Sequence, residues 1–71
     1  METIQFQLEG EYIEMVKLLK VTNVCSTGGE AKIMIMDEVV TYNGEIDTRK
    51  RLKVRKGDVV VFDEQVKIEV I

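Results

Sequence analysis

The chain of 71 residues contains no histidine. It therefore lacks the side chain that most often serves as a general base near neutral pH. Its single cysteine, Cys25, excludes an internal disulfide and cannot build a zinc site of the paired Cys-x-x-Cys type. A lone thiol suits a reducing compartment. No apolar run approaches the roughly 20 residues that span a bilayer. The stretch after Met1 alternates, unlike the charged and then apolar segments of a secretory leader. Aromatic residues are scarce: Phe6, Tyr12, Tyr42 and Phe62, with no tryptophan. Repeats, linkers and low-complexity segments are missing too. The carboxylates Asp37, Glu38, Glu45 and Asp47 form no acid/base pair and read as solvated turn charges. The expectation is a cytoplasmic monomer of one domain, residues 1–71, with no catalytic residue, metal, cofactor or membrane contact, and not an enzyme.

What is present supports a fold. The 45% apolar content suffices for one modest core, and a chain of this size buries about 60% of the surface it exposes when unfolded. Ile4, Phe6 and Leu8 alternate with Gln5, Gln7 and Glu9, which predicts a half-buried strand ended by Gly10. Tyr12, Met15, Val16 and Leu19 recur at helical spacing, so residues 11–20 read as an amphipathic helix that stops near Asn23. Thr27 and Glu30 have the spacing of a capping box, which starts a second helix near Gly28 with Ala31, Met34 and Ile35 inside. Cys25 lies just before that start, where a thiol pKa can fall, but free cysteine is more often a small buried hydrophobe. Asn43-Gly44 is a strong hairpin signal, with the partner strand from Glu45. Gly57-Asp58 marks another turn, Val59 to Phe62 a buried strand, and Val66, Ile68 and Val70 the last one. The fold class is α+β: two helices packed on a small twisted antiparallel sheet with an N-terminal strand.

The charge is unevenly placed. The net charge is −3, from ten cations and thirteen acids. Six of those cations, and no acid, lie between Arg49 and Lys56, so the rest of the chain carries −9. If residues 49–55 are extended, Arg49, Arg51, Lys53 and Arg55 point to one face about 6.6 Å apart, while Leu52 and Val54 point inward. A solvated edge strand needs only one or two such charges to discourage aggregation; six uncompensated ones favour a polyanion partner. Lys32 on the second helix and Lys17 and Lys20 on the first can extend this basic face. Gly28 and Gly29 leave the first amides of the second helix uncovered, where a phosphate can bind. They equally suit a tight turn into the helix or a close approach of helix to sheet.

These blocks resemble a known family. Leu18-Leu19-Lys20, Thr27-Gly28-Gly29-Glu30-Ala31-Lys32, and Asn43-Gly44 followed by Thr48-Arg49-Lys50-Arg51 and Gly57-Asp58 are similar to the RNA-binding domain named after ribosomal small-subunit protein S-four, the alpha-L motif. The resemblance covers residues 11–62 and is strongest to stand-alone bacterial members of the YaaA and YbcJ type. It implies RNA gripped along the helix pair and the following hairpin, by Thr27, Gly28, Gly29, Lys32, Arg49, Lys50, Arg51 and Lys53. Two positions depart from the family pattern: Gly28 stands where arginine is frequent, and Glu38 where glycine is usual.

Phe6, Tyr12 and Phe62 fall on expected core stripes, which leaves Tyr42 beside the turn as the candidate for base stacking. Recognition by shape and phosphate contacts fits better than a stacking platform. The expected partner is structured RNA, ribosomal or transfer, in ribosome assembly or translation. The alternative is a protein-interaction module whose basic strip docks an acidic protein, such as an assembly factor. A ubiquitin-like sulfur carrier is a poor fit, because the chain ends Glu69-Val70-Ile71 without a terminal glycine pair.

Overall fold

The alternating N-terminal stretch forms β1 (Glu2–Phe6), which turns Ile4 and Phe6 toward the core. The computed structural model describes residues 1–71. After β1 come β2 (Ile13–Glu14), α1 (Met15–Val21), α2 (Gly28–Met36), β3 (Val40–Tyr42), β4 (Glu45–Ile46), β5 (Lys53–Val54), β6 (Val59–Phe62) and β7 (Val66–Val70). Five strands form a sheet in the order β1-β7-β6-β3-β4, while β2 and β5 pair separately. The α+β class is as expected, and α1 packs against α2.

The sheet is mixed, not wholly antiparallel. Hairpin turns make β3 antiparallel to β4 and β6 antiparallel to β7, and β3 pairs antiparallel with β6 without one, but β1 runs parallel to β7, with Ile4 opposite Ile68. No turn joins those two strands. The whole chain runs between them, so turn chemistry does not set their relative direction.

Register divides the faces. Ile4, Ile68, Val60 and Tyr42 form one row across the sheet toward the helices. Thr3, Lys67, Val61, Thr41 and Ile46 form the adjoining row, which period-two alternation places on the opposite, open face. All twelve buried residues are apolar. Met15, Leu18 and Leu19 of α1, Ala31 and Ile35 of α2, and Val40, Val60 and Ile68 of the sheet meet in this core. Each fully buried large aliphatic contributes about 1.5–3 kcal/mol.

The first helix is shorter than its spacing predicts and begins at Met15, not near residue 11. Ile13 and Glu14 are drawn into a ladder with Val54 and Lys53. Tyr12 is thereby left outside the helix and 42% exposed, so its place on a core stripe is incorrect. The helix ends as expected: Asn23 adopts φ 62 and its N–H donates to the Lys20 carbonyl.

In α2 the Thr27 hydroxyl oxygen accepts the Glu30 N–H at 3.1 Å. Ala31 and Ile35 are buried and Met34 is half-buried against the core. Cys25, 1% exposed, is a core residue. Burial and the nearby Glu30 push its thiol pKa up, the opposite of an activated thiolate. Beyond α2, Glu38 has φ 63. That left-handed conformation is easy for glycine and strained for glutamate.

Candidate functional site

The basic segment is not a continuous strand. Asp47 to Leu52 form a turning loop in which the Leu52 N–H donates to the Arg49 carbonyl at 3.3 Å, and only Lys53 and Val54 pair. A single row of Arg49, Arg51, Lys53 and Arg55 is therefore not formed. The cause lies at the start of α1, where Glu14 supplies no side-chain cap. The carbonyls of Leu52 and Lys50 accept the Met15 and Val16 N–H groups there, at 2.9 and 3.1 Å. Those amides would otherwise lack partners, so the loop is bound across the helix end and its cations fan around it.

This brings together residues distant in sequence. Lys32 of α2 and Lys50 and Arg51 of the loop line one depression of about 490 Å³ with Glu14 and Val16. Arg49, Arg51, Leu52 and Lys53 line a second of about 480 Å³. Arg51 belongs to both and is the hinge of a face that runs from α2 to β5.

Two of the six cations have acidic partners, so the segment is less uncompensated than its composition implies. Arg51 Nε is 3.3 Å from Glu14 Oε2, with the arginine side chain 85% exposed. Such an exposed pair is worth about 0–1 kcal/mol, and a phosphate can compete with Glu14 for the guanidinium. Arg49 is held harder. Its Nε and Nη2 donate to Asp47 Oδ1 and Oδ2 at 3.0 and 2.7 Å, and its backbone N–H donates to Oδ1 at 2.9 Å. The Arg49 guanidinium keeps the Asp47 carboxyl below its usual pKa despite partial burial. Asp47 is thus a shaped partner and not a solvated turn charge.

The far end of the segment is fixed by Asp58. Its carboxylate accepts the Tyr42 hydroxyl at 2.6 Å, the Arg55 N–H at 2.8 Å and the Asn43 side-chain amide at 3.2 Å. Asn43 Oδ1 in turn accepts the Val59 N–H at 2.8 Å. Burial alone would raise the Asp58 pKa, but these donors outweigh it and hold the carboxyl low. The hydrogen bond to Asp58, helped by burial, pushes the Tyr42 phenol up. Asn43 and Gly44, at φ 51 and 93, make the two-residue turn this clamp holds. Tyr42 is consequently a tether between hairpin and loop and not a ring free to stack.

Residues 6–71 match the S4 domain family. The chain belongs to that family. It is 37% identical over 51 residues to YbcJ of Escherichia coli (strain K12), a protein named for RNA binding, covering 72% of this chain and 73% of that one. The same identity and coverage hold for YbcJ of Shigella flexneri, which is named as uncharacterized. The solution structure of E. coli YbcJ, described as revealing an alpha-L motif involved in RNA binding, superposes with a TM-score of 0.68 at 33% identity. That match covers 92% of this chain and 85% of the other.

The remaining expected residues of this S4 domain are more dispersed. Thr27 caps α2 as predicted, and Gly28 and Gly29 follow it. A Cβ on Gly28 would meet nothing within 4 Å and one on Gly29 only Thr27 Oγ1 at 3.9 Å, and neither has a positive φ. Neither a strained turn nor close packing demands these glycines, and the space a side chain would fill at them is open. Lys17 lies apart, lining hollows with Tyr12, Ile13 and Glu14. Lys20 is exposed in the last turn of α1 and lines neither basic depression. Arg55 stands with Lys53 beside Tyr12.

Sequence reasoning missed Glu14, Asp47 and Tyr12. The two acids lie outside the cationic run, and their pairing depends on the loop docking on α1. Gly10, before Tyr12, was a signal that the helix need not start at residue 11.

Proposed function

We propose that this S4 domain binds structured RNA, ribosomal or transfer RNA, through the face on which Lys32, Lys50 and Arg51 converge. That convergence carries the reading: cations from α2 and from a loop 18 residues further on share one depression. Arg49 and Lys53 continue the face, Arg55, Lys17 and Lys20 flank it, and the open amides of Gly28 and Gly29 beside Thr27 offer a further phosphate contact. The family and the naming of the YbcJ relative support RNA as the polyanion.

The mechanism is phosphate neutralisation on a preset shape. RNA phosphates displace counterions as the cations replace them, and the duplex is read by backbone geometry and not by base edges. Because Lys50 and Leu52 are bonded to α1 through their carbonyls, the side chains beside them start from a fixed backbone, which lowers the ordering cost of binding. The −9 carried by the remainder of the chain discourages indiscriminate contact with other polyanions. We assign the protein, on this reading, a role in ribosome assembly or translation in the cytoplasm, acting as a monomer.

Affinity for a ribosomal RNA hairpin measured against salt tests the proposal. If four of Lys32, Arg49, Lys50, Arg51 and Lys53 each neutralise a phosphate, log K falls against log salt with a slope of about −3 to −4. Arg51→Ala should make the slope shallower by about one and weaken all RNA sequences alike. Salt-insensitive binding, or capture of an acidic protein that survives RNase treatment of a lysate, would replace this reading with the protein-docking one.

A further inference from the structure

We infer that Tyr12 is the stacking site for one unpaired base of the bound RNA, with Lys53 and Arg55 holding the phosphates that flank that base. This rests on the RNA-binding reading above and extends it from backbone contacts to a single-stranded nucleotide.

The ring is placed for it. One residue beyond the Ile13–Val54 pair, Tyr12 faces Arg55 across the β2–β5 ladder. Lys53 Nζ stands 5.0 Å and Arg55 Cζ 5.9 Å from the ring centroid. Ile13 and Val54 point the other way, into the core, so this ladder presents its aromatic and its cations together on the outside. Most large aromatic side chains are well buried, yet Tyr12 is 42% exposed. An exposed cation over an aromatic face is worth about 0.5–1 kcal/mol, so the cluster is too weak to be a structural necessity and is available to a ligand.

The surroundings choose the ligand. Tyr12 borders an apolar cleft of about 360 Å³ between the end of β1 and α1, where Phe6, Leu8, Ile13 and Val21 supply a nonpolar wall. The cleft alone would accept an aliphatic side chain equally well. Charge and continuity decide for RNA: Lys53 also lines the depression with Arg49 and Arg51, so the ring adjoins the phosphate-binding face. Glu9 lines the cleft and Glu14 the smaller hollow beside it. Lys17 lines both and offsets these acids, whereas Lys53 and Arg55 beside the ring have no acidic partner, which orients the base toward the apolar cleft and the backbone toward that pair. A single ring accommodates a single base, and stacking is tolerant of which base it is, since each has a π-face.

The test compares a ribosomal RNA hairpin carrying a single-stranded uridine tail with the same hairpin blunt-ended, for wild type, Tyr12→Phe, Tyr12→Trp and Tyr12→Leu. Wild type should bind the tailed hairpin more tightly. Tyr12→Leu should abolish that preference, with a loss of about fivefold to about a hundredfold, the range for one stacked base. On the blunt hairpin its affinity and salt slope should match wild type, because no base is stacked there. Tyr12→Phe should retain the preference, and Tyr12→Trp should retain it with indole fluorescence quenched by the tail. The inference is overturned if Tyr12→Leu keeps the preference, or if wild type shows none while Arg51→Ala still lowers the salt slope; the RNA reading then stands without stacking. Wild-type protein that binds neither hairpin overturns both.

Discussion

The open face of the five-stranded sheet and the basic loop are held in place by different means. Across the sheet, position is set by backbone ladders: β1, β7, β6, β3 and β4 bond edge to edge, and Lys67, the second residue of β7, has Glu69 3.5 Å away on the same strand. In the segment from Asp47 to Asp58, only Lys53 and Val54 belong to a strand. Its ends are bonded through the backbone to Val40 and Val70, and between them the segment is tied by two carbonyls to α1 and by the carboxylates of Asp47 and Asp58. Many equivalent backbone bonds make one region insensitive to single side chains. A few irreplaceable side-chain bonds make the other depend on them. The cations proposed to meet RNA are on the second, so their geometry is as fragile as those acids.

Asp58→Ala breaks this comparison hardest. It removes the acceptor for Tyr42, Arg55 and Asn43, at about 0.5–1.5 kcal/mol per bond, and should cost about 2–4 kcal/mol of stability in urea titration. The pH dependence has a definite sign. The folded Asp58 carboxyl lies below its ordinary value, so its contribution is present above about pH 4 and disappears as pH falls through the depressed value. The folded Tyr42 phenol lies above 10.0, so its hydrogen bond contributes fully below that pH and is lost as pH rises through the raised value. Asp58→Ala should flatten both limbs of the stability profile. Unchanged limbs would mean that the clamp is not what fixes the loop.

Gly29→Ala tests the N-terminal end of α2, the helix that carries Lys32. Alanine meets only Thr27 Oγ1, at 3.9 Å, and favours a helix by up to about 1 kcal/mol. The free protein should gain up to that amount in thermal unfolding while RNA affinity drops, because the methyl stands before amides proposed to bind phosphate. A fall in both would assign the glycine a purely structural role.

How much of this was legible follows the same division. Asn43-Gly44, the Thr27–Glu30 cap and the alternation in β1 and β7 act within a few residues, and each was readable. The loop's conformation was not. It answers to unpaired amides on α1, and nothing in TRKRLKVRK announces that its carbonyls are needed elsewhere. Lys32 and Arg51 could be nominated by charge, but their shared depression required the fold. Tyr12 was misplaced because its helical spacing to Met15 competed with a ladder to a strand some forty residues away.

A smaller effect is expected at Glu38, which lies outside both regions and should leave the comparison intact. Relieving its φ of 63 with Glu38→Gly returns about 1–2 kcal/mol of backbone strain. The greater freedom of glycine in the unfolded chain removes about 0.4–1 kcal/mol of that. The balance, about 0.8 kcal/mol at the middle of both ranges, should appear as a higher denaturation midpoint with an unchanged denaturant slope. A loss would show that the Glu38 side chain makes a compensating contact in solution.

The smallest effect sharpens the comparison from the other side. Lys67 is a cation on the sheet face turned from the helices, 39% exposed at its side chain and paired with Glu69. If net positive charge anywhere on the molecule attracted RNA, Lys67→Ala would flatten the salt slope as Arg51→Ala does. If position decides, it should leave slope and affinity unchanged and alter stability by no more than about 0.5 kcal/mol, the usual range for a surface substitution. Glu69→Ala, which frees the Lys67 ammonium, should be equally silent toward RNA. A salt slope that shifts by one in either variant would place RNA on the open sheet face and remove the loop's claim to it.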